Sequence, residues 1–190
     1  MNGPSASQRP DEELVTAVLG GDREAFRGLV QRYQRAYLLY AARMVSSLAV
    51  AEDIVQDSFV TAYEKLETCD RPERFAAWCF HIVRNRCYDH LRNPRTRAAG
   101  TEVLETLPSD EEDPAESVER SDLRAAIRGA VATLPPLLRE AFVLYHEGSL
   151  TYPQMADRLG ASESALKMRV KRARDELQKQ LREFEDRAGT

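Results

Sequence analysis

The chain has 190 residues, 43% of them hydrophobic and 31% charged, with a formal net charge of −4. That balance belongs to a globular chain of one ordinary domain or two small ones, and it excludes disorder over the whole length. No apolar run approaches the roughly 18 to 20 residues of a membrane span, and the N-terminal MNGPSASQRPDEE lacks the apolar core of a signal peptide, so a cytoplasmic protein is expected.

Strand signals are scarce and the elements read as helices. A short segment, Glu12 to Leu19, is followed by Gly20-Gly21 and by Asp22, a candidate N-cap. From there to Val45, Phe26, Leu29, Val30, Tyr33, Tyr37, Leu38, Ala41, Met44 and Val45 recur at three- and four-residue steps, the period of an amphipathic helix. After a break at Ser46 to Ala49, AEDIVQDSFVTAYEKL (Ala51 to Leu66) predicts a third helix with acids in its first turn, where the helix dipole favours them. Val55, Phe59, Ala62 and Leu66 form its core-facing stripe, leaving Asp53, Gln56, Asp57, Val60 and Glu64 on the exposed face. Acids beside DNA would repel it, so this face points to a protein partner with basic residues.

Thr68 to Pro72 interrupts the pattern, and Arg74 to Arg92 resumes it until Asn93-Pro94 ends it. The three cysteines, Cys69, Cys79 and Cys87, are odd in number and unpatterned, which fits a reducing compartment and not a disulfide framework. Cys79, His81, Cys87 and His90 superficially resemble metal ligands. On one helix, however, Cys79 and Cys87 stand about 12 Å apart at ~1.5 Å rise per residue, too far to share a zinc with bonds to sulfur of ~2.3 Å. No metal and no cofactor are expected. Arg84, Arg86, Arg92, Arg95 and Arg97 against one acid, Asp89, make a basic patch at the end of this first domain.

Between Thr101 and Asp122 there are nine acids and one Arg, with Pro108 and Pro114. Such a segment buries too little apolar surface to offset the entropy of ordering and reads as an acidic linker. Helical patterns return over Leu123 to Leu134 and, after Pro135-Pro136, over Leu137 to Tyr145. Thr151-Tyr152-Pro153-Gln154 fits a capping box opening a short helix, Tyr152 to Leu159, which Gly160 stops. Ser162 can cap the next helix, which carries LKMRVKRAR (Leu166 to Arg174), five cations in nine residues. Two such helices joined by a short turn make a helix-turn-helix. At 100° per residue, Leu166, Val170, Ala173, Leu177, Leu181 and Phe184 fall within about 80° of one another, so all five cations lie off the buried stripe. Acids that could neutralise them, Asp175 and Glu176, come only after the cluster. A basic helix opened by small polar residues suits the major groove of DNA.

AEDIVQDSFVTAYEKL, followed by RFAAWCFHIVRNRCYDHLR and later by LPPLLREAFVLYHEGSLTYPQMADRLGASESALKMRVKRAR, resembles the RNA polymerase sigma factors of the extracytoplasmic-function group, the smallest branch of the sigma-seventy superfamily. The resemblance runs from Asp11 to Leu181 except for the linker. It implies an all-α fold of two small helical domains, with N-terminal domain 11–97, linker 98–121 and C-terminal domain 122–185. It implies further that the acidic helix docks on the clamp helices of the polymerase's largest subunit through Asp53, Gln56, Asp57, Val60 and Glu64. Thr68, Asp70, Arg71, Arg74, Phe75, Trp78, Arg84 and Asn85 fall where contacts to the melted minus-ten element are expected, although a lone Trp amid apolar residues fits a core position equally well. Ser162, Ser164, Lys167, Met168, Arg169, Lys171 and Arg172 fall where the minus-thirty-five element is read. Core polymerase, including its flap, promoter DNA and an anti-sigma factor are the implied partners, and no catalytic residue is implied. Val50 and Pro153 stand where the family often has acids, and the linker is unusually acidic. The competing reading is a stand-alone helix-turn-helix regulator acting without polymerase. A nucleic-acid enzyme is disfavoured by the lack of a metal cluster, activated nucleophile or phosphate-binding loop motif.

Overall fold

The computed structural model describes residues 9–93 and 118–188. Among them are eight α-helices and no strand: α1 (Asp11–Leu19), α2 (Arg23–Val45), α3 (Leu48–Glu64), α4 (Phe75–Arg92), α5 (Val118–Thr133), α6 (Pro136–His146), α7 (Tyr152–Leu159), α8 (Glu163–Ala188).

 Two 3-10 turns, Leu66–Thr68 and Pro72–Arg74, lie between α3 and α4, and α7 ends at Leu159.

The first domain is α1 to α4, with α2 packed on each of the other three. Its core is aromatic: Phe26 meets Phe59 and Phe75 edge-on at 6.5 and 6.3 Å, Tyr37 stacks on Phe59, and Tyr40 lies 4.6 Å from Phe80. Such ring pairs add about 0.5 to 1.5 kcal/mol each beyond the area they bury. Asp11 fastens α1 to α2, pairing with Arg32 and accepting a 2.5 Å hydrogen bond from the Tyr33 hydroxyl. Burial and the Asp11 carboxylate push that hydroxyl up to about 12. The second domain is α5 to α8, whose core includes Leu134, Ala141, Met155, Leu166 and Val170.

Asp22 caps α2 as its type and position predict, accepting from the Glu24 and Ala25 amides at 3.1 and 3.3 Å. α3 departs from expectation. Ser46 closes α2 in a left-handed conformation (φ 58°), and the Ser47 hydroxyl caps the Val50 amide at 3.4 Å, so α3 begins at Leu48 and not at Ala51. Its first turn therefore holds no acid, and Glu52 and Asp53 sit past the turn where the dipole acts most. α5 starts at Val118, so the last four residues assigned to the linker, 118–121, are helical. The rest of the linker, with Arg95 and Arg97, lies outside the described residues.

The domains touch along α2 and α6. Arg139 of α6 is 6% exposed and donates to the carbonyls of Met44 at the end of α2 and of Ala132 and Leu134 beside the end of α5. One guanidinium thus satisfies orphan carbonyls of helix ends from both domains. Arg43 pairs with Glu147 at 2.5 Å, a second tie across the same contact.

All three cysteines are buried. Burial raises the Cys69 thiol and pushes Cys79 and Cys87 up to about 12, which leaves almost no thiolate near neutrality. At pH 8 the folded protein should resist iodoacetamide over a time in which the denatured chain is alkylated at three sites; intact-mass spectrometry distinguishes the two, and rapid labelling of native protein would contradict this packing.

Candidate polymerase and nucleic-acid surfaces

α3 turns Val55, Phe59 and Ala62 into the core, with Leu66 just beyond it, and presents Asp53, Gln56, Asp57, Val60 and Glu64 to solvent, as its periodicity predicts. Val60 is 52% exposed, an apolar side chain amid acids. Beside this face an open groove of about 800 Å3 runs between α2 and α3, floored by Phe26, Val30, Leu38, Phe59 and Tyr63 and edged by Arg35, Glu52 and Glu64. Sequence spacing missed the groove because Phe26 reads simply as a member of its helix's apolar stripe and Tyr63 falls outside the stripe of α3; that they line one groove across two helices is a tertiary fact. The Arg86 guanidinium reaches back from α4 to Asp57 at 3.3 Å and to the Thr61 hydroxyl at 2.8 Å, so the acidic face is partly balanced from within.

The segment expected to meet the minus-ten strand divides into four groups. Thr68, Asp70, Arg71 and Asn85 are exposed, with Arg71 paired to Glu73 at 2.8 Å. Trp78 is half-buried, its ring 5.9 Å from that of Phe75. Phe75 corrects the expectation: it is 0% exposed, enclosed by Phe26, Tyr33 and Trp78, and has no face free to stack on a base. The two remaining cations face the second domain. Arg74 pairs with Asp157 of α7, and Arg84 grips the carboxylate of Glu140 of α6.

Glu140 is 0% exposed. Its Oε1 accepts from Arg84 Nε at 2.6 Å and from the Tyr40 hydroxyl at 2.9 Å. Its Oε2 accepts from Arg84 Nη2 at 2.9 Å and from the Tyr88 hydroxyl at 3.0 Å. A buried carboxylate needs such donors to stay charged. The hydrogen bond to Glu140 strengthens the hold of Arg84 on its proton, and desolvation, then the Glu140 charge, raises Tyr40 and Tyr88 above the ordinary phenol range. Neither Tyr40 nor Glu140 carries a sequence signal for this role, since donors and acceptor lie up to 100 residues apart.

The helix-turn-helix forms as its local chemistry dictates. The Thr151 hydroxyl accepts from the Gln154 amide at 3.4 Å, and Gln154 Oε1 accepts from the Thr151 amide at 2.8 Å, a closed capping box. Gly160 turns the chain with φ 62°, and Ser162 caps the Ala165 amide at 3.3 Å. Leu166, Val170, Ala173 and Leu177 of α8 are at most 6% exposed, and Leu181 is half-buried; the Phe184 side chain lies outside the described residues. Ser162, Ser164, Lys167, Met168, Lys171 and Arg172 are exposed and Arg169 is half-buried. One expectation needs amending: the cations are not wholly unneutralised, because Glu163 precedes the cluster by one turn and pairs with Lys167 at 3.6 Å. Arg174 turns away, donating to His146 Nε2 at 3.1 Å and covering the Tyr145 ring. Among the described residues Arg169, Lys171 and Arg172 make no ion pair.

No group of three or more His, Cys, Asp or Glu among the described residues could hold a metal ion, and no described helix is long and apolar enough to cross a membrane.

Comparison with known proteins adds an independent line. The profile of sigma-70 region 2 matches residues 29–97, and that of sigma-70 region 4 matches residues 124–177. The chain is 33% identical over 171 residues to the RNA polymerase sigma factor NccH of Alcaligenes xylosoxydans, covering 88% of this chain and 92% of that one. It is 28% identical over 182 residues to the ECF RNA polymerase sigma factor SigW of Bacillus subtilis, covering 91% and 97% respectively. Among solved structures it is similar to CnrH in complex with the cytosolic domain of CnrY, with a TM-score of 0.65, 29% identity and coverage of 91% of this chain and 97% of that one. It is also similar to RpoE bound to the anti-sigma factor NepR from Bartonella quintana, with a TM-score of 0.60, 27% identity and coverage of 83% and 96%.

Lys171 and Arg172 are exposed and make no ion pair with a described residue, so replacing both by Gln should leave thermal stability within about 0.5 kcal/mol. The slope of log affinity against log salt for duplex DNA should flatten by about 2 as two phosphate contacts vanish. Fluorescence anisotropy across a salt series measures this, and an unchanged slope would remove both residues from the backbone contact.

Proposed function

The chain belongs to the extracytoplasmic-function group of the sigma-70 family, an alternative sigma factor that directs RNA polymerase to promoters, and we propose that it divides the work among the three surfaces described above. The acidic face of α3, with Asp53, Gln56, Asp57, Val60 and Glu64, docks on the clamp helices of the polymerase's largest subunit. Its charge suits a basic partner, and Val60 and the neighbouring groove supply apolar area at the centre of the contact. The loop before α4 and α4 itself receive the melted minus-ten strand. Thr68, Asp70, Arg71, Arg74, Trp78, Arg84 and Asn85 carry this contact, since cationic and aromatic side chains hold unstacked bases and backbone. Phe75 supports it from the core.

α8 enters the major groove at the minus-thirty-five element, with Lys167 and Arg169 near its start reaching base edges and Lys171 and Arg172 reaching phosphates. The observation that carries this reading is an exposed acidic face with an apolar centre in the same chain as a capped helix-turn-helix whose Arg169, Lys171 and Arg172 make no ion pair with a described residue. A regulator acting without polymerase would have no use for that face. The functional units are 11–97 and the C-terminal unit that opens with α5 at Val118 and runs to 185, joined by the acidic linker that precedes α5. The protein works in the cytoplasm, without cofactor or catalysis of its own. An anti-sigma factor controls it, a reading supported by the complexes in which CnrH and RpoE were solved.

Reversing Asp53 and Asp57 to Lys should abolish binding to core polymerase and run-off transcription while duplex DNA affinity persists; unchanged core affinity would sink the docking assignment. Replacing Lys167 and Arg169 by Ala should cost about 1 to 3 kcal/mol of discrimination for the upstream element. An equal loss on scrambled DNA would make them phosphate contacts instead.

A further inference from the structure

Glu140 occupies a built anion site. The site consists of the guanidinium fork of Arg84, presenting Nε and Nη2, and the hydroxyls of Tyr40 and Tyr88, with four hydrogen bonds of 2.6 to 3.0 Å converging on one carboxylate. Every donor belongs to α2 or α4 of the first domain, and the anion comes from α6 of the second. Without Glu140 the cradle holds one positive charge and two neutral donors, and a guanidinium fork fits phosphate oxygens as well as it fits a carboxylate. We propose that this cradle is a binding site for a backbone phosphate of the promoter strand, and that Glu140 fills it as an internal stand-in when the two domains are closed on each other.

The proposal rests on the assignment of α4 to the promoter strand and adds the competitor for that strand. A second pair points the same way. Arg74, also on the strand-facing segment, is held by Asp157 of the second domain, so two acids of one domain cover two cations of the other. Further polar ties cross the contact, Arg43 to Glu147 and Arg139 to the Met44 carbonyl, and water or DNA can replace such partners when the domains part. Closure therefore masks the strand-binding cations, and strand binding requires Glu140 to leave. The two events are linked, so each weakens the other by the same factor.

The test uses the full chain carrying a fluorophore in each domain, titrated with a 15-nucleotide oligodeoxythymidine and with the same sequence on an uncharged methylphosphonate backbone. Glu140→Gln keeps the shape and removes the charge. It should lower interdomain energy transfer and tighten binding of the charged oligonucleotide about tenfold, leaving the uncharged one unaffected. Asp157→Asn, on an exposed side chain outside the core, should shift both readouts the same way by a smaller factor. Arg84→Met should also lower energy transfer but weaken the charged oligonucleotide. Unchanged energy transfer and affinity in both acid variants would overturn the proposal, as would equal tightening of the uncharged strand. If Arg84→Met binds like the unaltered protein while the acid variants open, the strand assignment of α4 fails and closure stands as a contact without a competing phosphate, which also overturns the proposal.

Discussion

A carboxylate buried among aromatic rings stays charged only where enough donors converge on it. Among the described residues every donor to Glu140 comes from the other domain: Arg84, Tyr40 and Tyr88. Its neighbour Arg139 makes the same demand in the opposite sense, being a buried cation that reaches the Met44 carbonyl at the end of α2. Two adjacent residues of α6 thus bring opposite charges to the domain contact, Glu140 held by donors of the first domain and Arg139 shared between the Met44 carbonyl and those of Ala132 and Leu134 in its own domain. The position of α6 against α2 and α4 must meet that requirement as well as continue the apolar core, which runs through both domains. Arg84, which faces the promoter strand in the proposed function, is consequently also one of the cations that hold the closed arrangement together.

Charge segregation is the second organising feature. A net charge of −4 says little about a chain whose acids and bases lie on different surfaces. On α3 the acids surround an exposed Val60, an arrangement that suits a protein surface and repels nucleic acid. On α8 the buried stripe of Leu166, Val170 and Ala173 fixes the helix so that Lys167, Lys171 and Arg172 face outward. Salt within the cell screens such surfaces beyond about 8 Å, so two opposite patches on one small protein need not cancel. Each acts on the partner that comes within contact.

Much of this was legible before any tertiary contact. The Asp22 cap, the Thr151–Gln154 capping box and the Gly160 turn are local, each needing only residues within four positions, and each forms as read. The solvent face of α3 and the buried stripe of α8 were equally legible, because helical period alone separates inside from outside. Where the reading slipped, a nearby alternative competed: Ser47 offered a better cap than any residue at the expected start of α3, and Glu163 stood one turn before a cluster whose neutralising acids were sought only after it. Phe75 was misplaced for a different reason. An aromatic residue at the edge of a loop serves core or ligand equally well by type, and only the rings of Phe26 and Tyr33 decide between them.

The sequence by itself determined the helices, their caps, the amphipathic faces and the separation of acidic from basic surface, since these depend on residue types a few positions apart. The tertiary structure alone decided that Arg84 and Arg74 meet Glu140 and Asp157, that Tyr40 becomes a hydrogen-bond donor to a carboxylate 100 residues away, and that Val60 borders a groove. Such pairings have no period and no fixed spacing. They arise only when two separately folded helical domains are brought together and each buried charge must find its partner across the contact.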